Sequence, residues 1–179
     1  MTGLTRQSRH SSVWALVRSQ YGAISHEQLA ARDYSNHAIQ HRLDTGRLHQ
    51  VHRGVYAVGR PELTQKGRWM AAVQACGEGA VLSHESAAAL WEIGKAPRKN
   101  ADIHISIPFG SGRSHDGIVI HRRSALTATD LTTHQNIPMT TPTATLIDLA
   151  ATTNERRLER DQRSMQPRPH RPRLISRRR

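Results

Sequence analysis

Residues 25–59 pack more structural punctuation into a short span than any other part of this chain, and that spacing leaves few folds open. Ser25 has the type and position of a helix N-cap, and Gln28 stands three residues later to complete a capping box. The helix it opens turns Leu29 and Ala30 inward and stops near Arg32-Asp33. Ser35 is a second N-cap, opening a helix through Ala38, Ile39, Arg42 and Leu43 that closes at Gly46. Two β-favouring runs follow, Leu48 to Val51 and Val55 to Gly59, around a turn at His52-Arg53-Gly54, which reads as a hairpin. Upstream, Val13, Trp14, Leu16 and Val17 form the apolar stripe of one more helix, ended by Tyr21-Gly22. Three helices and a hairpin in that order predict a winged helix-turn-helix over residues 12–60, preceded by a flexible N-terminus over 1–11.

Residues 61–161 predict a small α+β domain. Trp69, Met70 and Val73 recur at helical spacing between Thr64 and Cys76. Ala80 to Leu82 is a short strand, after which Ser83 is the expected cap of a helix through Ala87, Leu90 and Trp91. Strict alternation of Ile103, Ile105 and Ile107 with His104 and Ser106 is the pattern of a half-buried strand. Gly117 to His121 is another, and Ile137-Pro138-Met139 an edge strand on account of its proline. Thr141-Pro142 is the favoured opening of a helix through Leu146, Ile147 and Leu149. A last helix start at Asn154 to Glu159 gives way, over 162–179, to a segment whose only charged type is arginine, interrupted by three prolines. Such a composition cannot bury enough apolar surface to offset the entropy of ordering, so this tail is expected to be disordered.

The chain has 26 cationic and 14 acidic residues in 179, a formal net charge of +12. This excess permits attraction to nucleic acid. No run approaches the ~18 apolar residues of a membrane span, and no signal-peptide core follows Met1, so a cytoplasmic location without a membrane partner is expected. The single cysteine, Cys76, forms neither an intrachain disulfide nor a cysteine-rich metal site. Twelve histidines occur without any metal-binding spacing, and no cofactor or metal is expected. Ser83-His84-Glu85 puts nucleophile, base and acid types in a row, but a relay needs a spatial arrangement that adjacency does not supply. Gly110-Ser111-Gly112 lacks the Lys-Ser/Thr of a phosphate-binding loop.

With Ala38, Ile39 and Leu43 inward, the helix opened by Ser35 presents Asn36, His37, Gln40, His41 and Asp44 outward. Asn and Gln can read adenine through paired hydrogen bonds, and histidine can reach base edges or phosphate. Arg42 and Arg47 flank the same surface, and Arg53 at the hairpin tip is placed for phosphate or the minor groove. Double-stranded DNA is the partner these types fit. The expected interface is therefore Asn36, His37, Gln40, His41, Arg42, Arg47 and Arg53, in a protein with no enzymatic activity.

Several runs are also similar to a known family. Gly22 to Ser25, Gln28-Leu29, Gly46-Arg47-Leu48 and Val51 to Gly59 resemble the amino-terminal winged helix of AbiEi-type antitoxins of type IV toxin–antitoxin systems. Leu82-Ser83-His84, Ser86 to Trp91, Gly117 to His121 and Thr145 to Ala150 resemble the segment that follows it in a group of actinobacterial relatives. The resemblance covers about residues 12–160. It implies a transcriptional repressor that binds its own promoter and opposes a nucleotidyltransferase-like toxin. Many such relatives continue into an endonuclease-like domain built on carboxylates and a lysine. Here no Asp-x-Lys or Glu-x-Lys occurs, and the tail reads as a truncated or frameshifted end, which would make the chain an inactive remnant of such a protein.

Overall fold

The computed structural model describes residues 6–94, 98, 100–108, 115–123 and 126–152, with side chains from residue 11 onward. The chain folds as an α+β structure with two sheets. Its first helix, α1 (Arg6–Ser19), begins within the segment expected to be flexible; residues 1–5, the helix start at Asn154 and the Arg/Pro tail lie outside the described residues.

After α1 the chain reverses at Tyr21 and Gly22, both with left-handed φ (54° and 92°), into β1 (Ala23–Ser25), a strand the sequence reading missed. α2 (His26–Ala30) carries the expected capping box: Ser25 Oγ accepts from Gln28 N–H, and the Gln28 side chain accepts from Ser25 N–H. Leu29 is buried as expected, but Ala30 is exposed, because so short a helix turns only one residue into the core. Ser35 caps α3 (Asn36–Asp44) through Ala38 N–H, and Gly46 takes the left-handed conformation that ends it. β2 (Leu48–His52) and β3 (Val55–Val58) then form the expected hairpin, with a register shift between Gln50 and His52. Strand β3 lies in the middle of an antiparallel sheet of order β1-β3-β2. Val13, Val17, Ile24, Leu29, Ile39, Leu48 and Tyr56 make the core between its helices and this sheet. Trp14, expected inward, is 42% exposed.

The helix α4 (Gln65–Cys76) follows directly and is buried at Trp69, Met70, Ala71, Ala72, Val73 and Cys76. Burial on nearly every side has a cause: one side of α4 meets the first sheet and another meets the second. Ala23 and Val55 of the first sheet belong to the same core cluster as Leu82, Ile105 and Met139 of the second. The boundary expected near residue 60 thus falls just before a helix that both sheets share.

The second sheet has the order β6-β5-β4-β8-β7, formed by β4 (Val81–Leu82), β5 (Ile103–Pro108), β6 (Ile118–Arg123), β7 (Leu131–His134) and β8 (Ile137–Thr140). β5 and β6 run parallel; β7 and β8 form an antiparallel hairpin over Gln135-Asn136, both with positive φ as such tight turns require. Two expectations fail in this sheet. β8 is not an edge strand: it sits between β4 and β7, with its Pro138 opposite Thr133. β5 is not half-buried, since Ser106 is as fully enclosed as Ile105 and Ile107; the polar side of the strand is covered too. That cover includes α5 (His84–Leu90), whose Ser86 hydroxyl accepts from His104 N–H. A last helix, α6, is described over 142–152. It does not turn Leu146 and Ile147 inward: they are 52% and 59% exposed, and Ala144, Thr145 and Asp148 face the interior instead.

Candidate nucleic-acid interface

The outward face of α3 follows from its helical period. Ile39 is buried and Leu43 half-buried, which leaves Asn36, His37, Gln40, His41 and Asp44 all exposed on the other side. Gln40 Nε2 donates to Asp44 Oδ1 at 2.9 Å, so the amide is pre-oriented along the helix surface. Asp44 also puts a carboxylate at the C-terminal end of the face, where it would repel phosphate and accept from a base amine.

Arg42 does not share that face. Its guanidinium lies 4.7 Å over the Tyr34 ring, Nη1 donates to the Ala38 carbonyl at 2.8 Å, and the residue is half-buried. At position 42 the helical period places the side chain on the Ala38–Ile39 side of α3, apart from the other residues expected to meet DNA. Arg47 is exposed in the turn leading to β2, and Arg53 is exposed at the hairpin tip.

The residue that joins these pieces is His26, which the sequence reading passed over. Its Nε2 is 3.0 Å from Asn36 Oδ1, and its backbone N–H donates to the Gly54 carbonyl at 2.7 Å. His26 therefore ties the start of α3 to the tip of the hairpin, making one continuous polar surface of Arg53, His26, Asn36, His37, Gln40 and His41. The signal that could have found it is its place as the first helical residue after the N-cap Ser25. Arg53 also borders His115 and Asp116 of the second unit, and His52 meets the His115 ring edge-on at 5.8 Å.

A second polar cluster lies between the second sheet, α5 and α6. His84 stacks face to face on His121, ring centroids 3.6 Å apart, and His121 Nε2 is 2.9 Å from His104 Nδ1. Glu85 Oε2 approaches His104 Nδ1 at 3.3 Å. Burial, followed by the neighbouring imidazoles, pushes His84 down to about 3 and His121 down to about 4, so both rings are neutral at physiological pH. Asp148 on α6 forms an ion pair with Arg123 at 3.0 Å and accepts from the His84 backbone N–H. Burial raises its carboxyl, and Arg123 partly offsets that shift.

This arrangement corrects the expected role of Ser83. Its side chain makes no cap hydrogen bond; Ser83 Oγ lies 3.0 Å from His84 Nδ1, and the carboxylate of Asp148 meets the N-terminus of α5 in its place. His84 itself adopts φ 49°, a left-handed backbone that costs a non-glycine residue about 1 kcal/mol or more. Ser83 is fully enclosed, and Asp148 Oδ2, 3.7 Å away, faces the same imidazole nitrogen that Ser83 does. Serine and carboxylate thus meet one atom of the ring instead of opposite ones, which is not relay geometry. Among the described residues no group of three or more His, Cys, Asp or Glu is arranged to hold a metal ion, and no helix is long and apolar enough to cross a membrane.

No protein-family model matches this chain, and no curated protein matches it. Among solved structures, the crystal structure of the RV2827C protein from Mycobacterium tuberculosis is similar to it, at 21% identity and a TM-score of 0.46, over 82% of this chain and 61% of that one. The alignment thus spans about three fifths of that protein's length, and at that score the likeness carries no inference about activity.

Proposed function

We propose that this chain is a DNA-binding transcriptional regulator, an antitoxin-like repressor of the AbiEi type acting at its own promoter, with residues 12–60 as a winged helix-turn-helix. The observation that carries the reading is the order α1-β1-α2-α3-β2-β3 with sheet order β1-β3-β2, which leaves the polar side of α3 and the hairpin tip on one exposed surface. A helix-turn-helix likewise needs its recognition helix, here α3, exposed so that it can enter the major groove. In this reading Asn36, His37, Gln40 and His41 meet base edges, and Arg47 and Arg53 meet phosphate or the adjacent groove. Arg42 holds α3 against Tyr34.

The test is binding of the full chain to duplex DNA from its own upstream region. Replacing Gln40 and His41 with alanine is expected to lower affinity for that site at least tenfold over random duplex, each base contact being worth ~1–3 kcal/mol. Replacing Arg53 should weaken specific and random duplex alike and flatten the salt dependence. Equal affinity of the natural chain for its upstream region and for random duplex, at every salt concentration, defeats the proposal.

A second reading is favoured by one observation, the exposed Leu146 and Ile147 pair on α6. Adjacent large apolar side chains in water mark a protein-contact surface. In this reading the second unit engages a nucleotidyltransferase-like toxin. Co-purification with the product of a neighbouring gene of that class, lost on Leu146→Glu and Ile147→Glu, would support it.

A further inference from the structure

Behind α3, on the side opposite its polar face, the first unit contains a recess of ≈ 390 Å³. Its walls are Val13 and Trp14 of α1, Tyr34, Arg42 of α3, and Leu48 and Val58 of the sheet. The volume is that of a site for one small organic molecule, and the lining has the composition such sites have: apolar and aromatic side chains with a few fixed polar groups. Gly59 forms part of the rim.

The chemistry of the lining narrows the ligand. The charged residues bordering the recess are Arg42 and Arg47, with no carboxylate among them. Arg42 is held in place twice, by the Tyr34 ring beneath it and by the Ala38 carbonyl on Nη1. A guanidinium has five N–H donors in a rigid fork that matches a carboxylate. Fixing it beforehand removes most of the ordering cost of binding one. Trp14 borders this recess and is 42% exposed, so an apolar ligand seated there would remove part of its surface from water.

We propose that this recess binds a compact aromatic carboxylate, its acid group on Arg42 and its ring against Trp14 and Tyr34. Arg42 belongs to the same helix as Gln40 and His41, so an occupant on one flank of α3 biases the helix whose other flank is polar and exposed. The ligand is therefore an effector of DNA binding; this regulatory half rests on the function proposed above, whereas the binding half does not.

The probe is naphthalene-2-carboxylate, compared with the uncharged naphthalene-2-carboxamide, on the full chain by calorimetry and two-dimensional amide NMR. Expected are saturable binding of the acid, shifts centred on Val13, the Trp14 indole, Tyr34, Leu48 and Val58, and at least tenfold weaker binding of the amide. Trp14→Ala should weaken the acid at least fivefold without moving the thermal unfolding midpoint, and Arg42→Gln should abolish the preference for acid over amide. Should Arg42→Gln fail to fold, the acid–amide comparison on the natural chain decides. Absence of saturable shifts at millimolar acid, equal affinity for acid and amide, or shifts centred elsewhere would overturn the site. Acid binding that leaves affinity for the upstream duplex within twofold overturns the regulatory half. A chain that binds the acid and no duplex at all upholds the site while defeating the DNA-binding proposal.

Discussion

His84 and His121 lie ring on ring in the second unit, and two rings so placed cannot both carry a proton cheaply. Both are held far below the ordinary 6.5, mainly by burial, then by His121 and His104 in the case of His84 and by His104 in the case of His121. In the unfolded chain they take up protons as pH falls through about 6.5; in the folded chain they resist until about 4 and 3. Their contribution is therefore fully present above pH 6.5 and is lost progressively as pH falls towards 4 and below. Asp148 works in the opposite sense: its folded carboxyl is raised above 3.8, so the folded chain takes up that proton before the unfolded one and offsets part of the histidines' loss at the acid end of the window. Urea midpoints measured across that window should fall with a slope of up to two protons, and His121→Gln should remove about one of them. A flat profile would contradict the buried, neutral pair.

At the same scale, Gly67 in α4 has no substitute. A Cβ there would stand 2.6 Å from the Tyr21 carbonyl oxygen, which is backbone and cannot step aside. Gly67→Ala should cost about 1–3 kcal/mol by overpacking, although alanine is the better helix former by ~1 kcal/mol. Thermal unfolding of the variant checks the sign.

At the scale of elements, what could be read in advance depended on whether the determining group was local. Ser25 with Gln28 and Ser35 with Ala38 are caps made within one turn, and their helices begin where the residue types indicate. The Arg53-Gly54 turn fixed the hairpin in the same way. Ser83 has the same type and place, yet the partner of its helix is Asp148, far along the chain, and no local pattern announces that. Leu146 and Ile147 misled for a related reason. α6 covers a polar layer that includes His121 and Thr140, so its small and polar side, with Ala144, Thr145 and Asp148, faces inward, and the usual inference from apolar spacing inverts. Of the interface, the polar face of α3 was legible from its period, whereas the retirement of Arg42 onto Tyr34 and the bridging role of His26 needed tertiary contacts. Two substitutions separate these cases. Ser35→Ala should weaken α3 by ~1 kcal/mol and raise its amide exchange with little change elsewhere. Asp148→Ala should cost more, about 2 kcal/mol, because it strands Arg123 and the first N–H of α5; the figure stays short of the ~3–5 of a fully buried pair, since Arg123 keeps contact with solvent. Its exchange effects should reach α5, β6 and α6 together.

At the scale of the molecule, one core runs through both sheets by way of α4. Further cross-links lie along the same seam: Gln74 Nε2 donates to Gln20 Oε1, and the Tyr21 hydroxyl donates to the Gln135 carbonyl. Unfolding followed by the fluorescence of Trp69 and Trp91 should therefore coincide with loss of backbone dichroism, in one transition. Two separated transitions would show that the shared helix does not couple the halves.

Sharing a helix also sets where this protein can be cut. A fragment stopped at the hairpin keeps every residue of the surface proposed for DNA, yet it lays bare the reverse of its sheet, with Ala23 and Val55 now wet. Such a piece would clump or need a foreign helix as a lid. Any rearrangement of the gene that carries the first sheet and its helices to a new context must bring α4 along with it.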